Sequence, residues 1–253
     1  FYIDSRGLSL RCLVPMFFTR VFGLFLASAA IAHAGTFLTV PPGLNPGDTY
    51  RLVFLSSETT DATSSDITTY NTFVQDLADA VPALNALGAT WTAIVSTADV
   101  NAVDNISWQS TTDRIYGLDG TLVSDAGGPL FYDSNDGHFD NPIPTDATGA
   151  PEVSNTVVWT GTSRVGTNTI NGCCSAPLGS NDPFAGVTGS NNVYATWVSA
   201  CCGTNANQHP VFAISSELTV PAAEAPEPAT VALAAIGVLG IALRRRKMTA
   251  RRS

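Results

Sequence analysis

The densest polar stretch of the chain, YDSNDGHFDNPIPTD from Tyr132 to Asp146, carries residue types that hold a hard cation. Asp133, Asn135, Asp136 and Asp140 supply the oxygen ligands that Ca2+ takes, and Gly137 allows a tight bend. The spacing departs from the EF-hand loop: the glycine falls one place early and no glutamate stands at the twelfth position. Clusters of Asp, Asn and Gly are also what ordinary turns are made of. The turn reading is preferred, so no cofactor is expected, with calcium at these four residues as the alternative.

Two cysteine doublets follow, Cys173-Cys174 and Cys201-Cys202. In an oxidising compartment paired thiols become disulfides. Bridges between the doublets would staple the segment between them, whereas a bond within a doublet needs a strained ring. A four-thiolate zinc site is the rival, but it lacks the usual C-x2-4-C spacers. All four cysteines are read as disulfide residues, with the connectivity open.

Nucleophilic chemistry has little support. His138 and His209 lie in neither H-x-x-x-H nor H-E-x-x-H, and no G-x-S-x-G, G-x-G-x-x-G or G-x-x-x-x-G-K-[ST] occurs. Trp91, Trp159 and Trp197 sit in apolar runs and read as core. Trp108, in DNISWQSTTD, reads as an exposed aromatic that stacks on a sugar or anchors a loop. A carboxylate pair is invisible in a sequence with many acids. A secreted carboxylate-dependent hydrolase of matrix polymers is therefore the alternative to a non-enzymatic role.

The elements that must position these residues are mostly short. YRLVFLSS (Tyr50–Ser57) predicts an apolar strand. Ile67, Tyr70, Phe73, Val74 and Leu77 recur at helical spacing, which predicts an amphipathic helix from Asp66 to about Ala80, capped by Ser64 or Ser65. Pro82 opens a second helical turn that Gly88 ends. TWTAIVST (Thr90–Thr97) predicts a strand with Trp91, Ala93 and Val95 on one face and Ile94 on the other. RIYGLDGTLVS predicts a hairpin about Asp119-Gly120. TVVWTGT (156–162), NVYATWVSA (192–200) and HPVFAISSELTV (209–220) predict further strands. The fold class is α+β: one β-rich domain with a main amphipathic helix near its start, plus a C-terminal single-span hydrophobic helix.

Both ends read as addresses. Met16 opens MFFTRVFGLFLASAAIAHAG, with Arg20 as the basic n-region, an apolar h-region, and Ala32-His33-Ala34 as a small-x-small cleavage site before Gly35. Residues 16–34 are thus expected to be a signal peptide, and 1–15 an upstream extension. Residues 35–220 form the exported domain. Residues 221–228 are a linker with Pro226-Glu227-Pro228, 229–243 an apolar helix, and 244–253 a basic cytoplasmic tail opened by Arg244, Arg245, Arg246 and Lys247. Positive charge on the cytoplasmic side places the domain outside. The apolar run spans roughly 22 Å, short of a hydrocarbon core of about 30 Å, as suits a temporary tether at the inner membrane. Between residues 35 and 223 stand three arginines, no lysine and eighteen acids, a net charge of −15. Such a surface has no means of holding nucleic acid.

The tail PEPATVALAAIGVLGIALRRRK resembles the PEP-CTERM sorting signal, in motif, apolar helix and basic cluster, in that order. The resemblance implies an exosortase-type processing enzyme as partner, cleavage near Pro-Glu-Pro, and delivery to the cell envelope or extracellular polysaccharide matrix. Such tails are also catalogued as an ice-binding protein C-terminal domain, a label that describes the tail alone. The stretches YRLVFLSSETTDATSSDITTYNTFV, TWTAIVSTADVNAVDN, IYGLDGTLV, VWTGT and PVFAISSELT are similar in order to C-type-lectin-like domains. The E-P-N and W-N-D sugar-binding signatures are absent. The expected role is binding or structural, with an extracellular glycan as ligand class.

Overall fold

The computed structural model describes residues 37–108, 114–126, 130–131, 140–168, 177–189 and 196–222. All belong to the second of two units, His33–Ser253. The expected signal peptide with Ala32, Ala34 and Gly35, the sorting motif Pro226-Glu227-Pro228, the apolar run and the cluster Arg244–Lys247 lie outside the described residues. So do Asp133, Asn135, Asp136, His138, Cys173 and Cys174.

The described part is β-rich with few helices. Its centre is β1 (Thr49–Leu55), flanked in the sheet order β2-β8-β1-β3-β4 by β2 (Trp91–Ala93), β8 (Phe212–Ser215), β3 (Arg114–Gly117) and β4 (Leu122–Ser124). β1 pairs parallel with β3, Tyr50 opposite Arg114, and antiparallel with β8, Val53 opposite Ile214. A short β9 (Leu218–Thr219) pairs with the start of β1. A second sheet holds β5 (Val157–Trp159), β6 (Phe184–Val187) and β7 (Cys201–Cys202), all antiparallel.

The apolar run of β1 has a physical reason: the large sheet is buried on both faces. Tyr50, Leu52 and Phe54 join one core cluster, and Val53 and Leu55 the other, as alternation along a strand requires. Trp91, Ala93 and Val95 fall in the first cluster and Ile94 in the second. The break in alternation expected at Ile94 is therefore a second buried face. Helix α1 (Ile67–Ala80) covers the first face with Tyr70, Val74 and Ala78.

Its cap differs from expectation. Asp66 accepts the Thr68 N–H at 2.9 Å, while the Ser64 hydroxyl accepts the Asp66 N–H at 3.1 Å. The shorter, charged acceptor takes the helix end and Ser64 orients it. α2 (Pro82–Asn85) and the hairpin about Gly120, with φ +85°, stand where expected. Residues 196–200 form turns rather than a strand. The Val187 N–H donates to Thr196 O at 3.0 Å and the Ala200 N–H to Ala185 O at 2.9 Å, so the segment bulges over Gly186 of β6, where a Cβ would collide with the Trp197 backbone oxygen. β6, β7 and a short α3 (Ala102–Asn105) carry no strong local pattern.

Candidate functional site

A cavity of about 290 Å3 opens beside β4, lined by Thr121, Asn141, Pro142, Ile143, Pro144, Glu152, Ser154 and Gly189. Four separate chain segments build it. Thr121 leaves the hairpin turn, where its hydroxyl donates to Asp119 Oδ2 at 3.0 Å. Residues 140–141 then run along the outer edge of β4: the Asp140 N–H donates to Val123 O at 2.8 Å, and Asn141 Nδ2 donates to Leu122 O at 2.9 Å. The next loop folds back on itself. The Glu152 N–H donates to Pro144 O at 2.8 Å and the Asp146 N–H to Ala150 O at 2.9 Å. On the last wall Gly189, at φ +73°, leaves room for Ser154, whose Oγ would lie 2.6 Å from any Cβ there.

Glu152 is the one carboxylate among the described lining residues. It is half-buried, and its Oε1 accepts the Val153 N–H at 2.9 Å. Desolvation lifts its pKa above the ordinary glutamate range, the Val153 hydrogen bond opposes the lift, and the Asp146 charge adds to it. Asp146 is itself committed: Oδ1 accepts the Thr148 N–H at 2.8 Å, the Thr148 hydroxyl at 2.7 Å and the Ala150 N–H at 3.0 Å. It supplies fixed negative potential, with Glu152 as the arm that reaches the cavity.

A smaller cavity, about 140 Å3, is lined by Arg51, Thr90, Thr92, Asn105, Ser107, Ser216 and Glu217 among others. Arg51 Nη1 donates to Ile106 O at 2.9 Å, which ties this cation to the end of α3.

The described residues among those singled out from sequence do not gather at either cavity. Asp140, the one calcium candidate described, accepts the Asp125 N–H at 3.1 Å, and Asp125 pairs with Arg114 at 2.8 Å. Among the described residues no group of three His, Cys, Asp or Glu could hold a metal. Cys201 carries a free thiol, which corrects the expectation that both members of this doublet are bridged. Cys201 packs against the first core cluster, so its environment is apolar.

His209 is a structural residue. Its ring meets Trp159 edge-on at 4.8 Å, its backbone pairs with Thr60, and burial pulls its pKa down. Trp91, Trp159 and Trp197 are core. Trp108 is half-buried against the second cluster. Glu152 itself was not singled out by sequence. A faint signal exists: the exported stretch has fifteen aspartates and three glutamates, and the described aspartates mostly close local turns. A glutamate among them has the longer reach.

Comparison with known proteins bears on the other end of the chain. Residues 224–247 match the PEP-CTERM protein-sorting motif. The match takes in Pro226-Glu227-Pro228, the apolar run and the Arg244–Lys247 cluster. The PEP-CTERM motif marks an exported protein with a C-terminal sorting signal processed by an exosortase. Among the described residues no helix is long and apolar enough to cross a membrane, and the apolar run lies outside them. A comparison with curated proteins gives no match. The lectin-like ectodomain and the ice-binding label find no support.

Proposed function

We propose that this protein is a glycan-binding component of the cell envelope or extracellular matrix, routed there by its PEP-CTERM signal. The observation that carries the reading is the cavity beside β4. It combines polar side chains from Thr121, Asn141, Glu152 and Ser154 with the apolar surfaces of Pro142 and Pro144. Sugars need both, because hydroxyl groups alternate with C–H faces around the ring. One carboxylate, not two across a cleft, lines it among the described residues, and glycoside hydrolysis ordinarily requires a pair. Binding is thus favoured over the carboxylate-dependent hydrolase.

The test is a glycan array probed with the purified protein, with and without calcium, alongside an assay for newly formed reducing ends. Binding that weakens in Asn141→Ala, with no reducing ends formed, supports the reading. Absence of binding to any glycan overturns it. Reducing ends that rise with protein concentration overturn it in favour of the hydrolase.

A further inference from the structure

We infer that the cavity beside β4 selects an amino sugar, a hexosamine whose free ammonium pairs with the Glu152 carboxylate. This deepens the glycan reading and rests on it. Three observations lead there. The first is charge. Among the described residues no lysine or arginine lines the cavity, and of the three arginines in the exported stretch Arg114 is held by Asp125 and Arg51 lines the smaller cavity. With a net charge of −15 over residues 35–223, a uronate or phosphorylated sugar enters against the field and meets no cation. An ammonium moves with the field.

The second observation is the state of Glu152. It has given up water on one side, and Asp146 adds like charge. A neutral sugar hydroxyl returns a single ordinary hydrogen bond. An ammonium returns charge as well, through a charge-assisted bond roughly twice as strong as a neutral one. The carboxylate is oriented before the ligand arrives, because the Val153 N–H holds Oε1.

The third is the rest of the wall. Asn141 donates through Nδ2 to Leu122 O, which leaves its amide oxygen to accept from the sugar. Two acceptors therefore face a ligand rich in donors. The volume, about 290 Å3, lies just below the usual range of about 300–1,000 Å3 for small-molecule pockets, which suits a short saccharide unit rather than a long segment.

The experiment is calorimetric titration of the full chain, processed at both ends as in the cell, at pH 6. The probes are glucosamine oligomers, their N-acetylated counterparts and oligogalacturonate. The amino oligomer should bind about tenfold more tightly than the acetylated one. Glu152→Gln should remove that preference without lowering the melting temperature. Asp76→Asn, the same charge change at an exposed position of α1, should leave it intact. Equal affinity for amino and acetylated oligomers overturns the inference while leaving the glycan reading standing. Loss of preference in Asp76→Asn overturns it too, because diffuse surface charge then explains the effect. Failure of all three probes and of every array glycan sinks the glycan reading itself.

Discussion

At Glu152 a single side chain links stability to pH. Burial lifts its folded pKa above the value in the unfolded chain, and the neighbouring Asp146 charge adds to the lift. The native state therefore holds this proton more firmly than the unfolded state does. Its contribution is fully present below the ordinary glutamate value of about 4.3, and is lost as pH rises through the folded pKa. Glu152→Gln keeps the shape and removes the titration. The variant should match the parent in urea unfolding at about pH 4 and exceed it at about pH 7. A variant that is less stable than the parent at the higher pH would show that the carboxylate forms a stabilising contact instead. Elsewhere single residues are fixed by space. In VWTGT, Trp159 is fully buried and donates Nε1–H to Asn207 O at 3.1 Å, and the Thr160 hydroxyl donates to Val198 O at 2.5 Å. Gly161, at φ +57°, would put a Cβ into the Ser96 backbone oxygen. The Trp-Thr-Gly order visible in the sequence is thus a packing device that ties β5 to its surroundings.

Among the elements, β2 is a terminal strand of the large sheet, and its outer edge is closed by side chains rather than by another strand. The Trp91 N–H donates to Gln75 Oε1 at 2.8 Å and the Ala93 N–H to Asn71 Oδ1 at 3.0 Å, both from α1. Asn105 Nδ2 donates to Ala93 O at 2.8 Å and lies 3.0 Å from Asn71 Oδ1. The amides satisfy the backbone groups that an edge strand otherwise offers to a second chain. Asn71→Ala removes the partner of a part-buried N–H and should cost about 1–3 kcal/mol by urea unfolding. Combined with Gln75→Ala it should also produce concentration-dependent light scattering below the melting temperature. Thr72→Ala, exposed on the same helix, should do neither. A double variant as soluble as the parent would show that the edge needs no cover. The helix, Pro82 and the Asp119-Gly120 hairpin were legible in the sequence, because each is written in local spacing or in one turn residue. The amide cover and the parallel pairing of β1 with β3 were not, because Tyr50 and Arg114 lie far apart along the chain. The cavity has the same origin: four loops with no shared motif meet only once the sheets have formed.

For the whole molecule, entry and exit are tied at one place. The Gly47 N–H donates to Val220 O at 3.0 Å, the Val220 N–H to Asp48 O at 2.9 Å, and β9 pairs with the first residues of β1. Among the described residues the core clusters draw their buried members from Tyr50 to Val220. A domain clamped at Val220 is expected to fold independently of the routing motif. Replacing Pro226-Glu227-Pro228 by Ala-Ala-Ala should leave the urea midpoint of the domain unchanged. It should also move the protein into the membrane fraction as a longer species, because the exosortase no longer releases it and the apolar run stays attached. Cell fractionation with immunodetection reads both size and location. Release of the variant at parental size would mean that export ends by a route independent of the motif. A shifted urea midpoint would mean that the tail contributes to the fold, against the clamp at Val220.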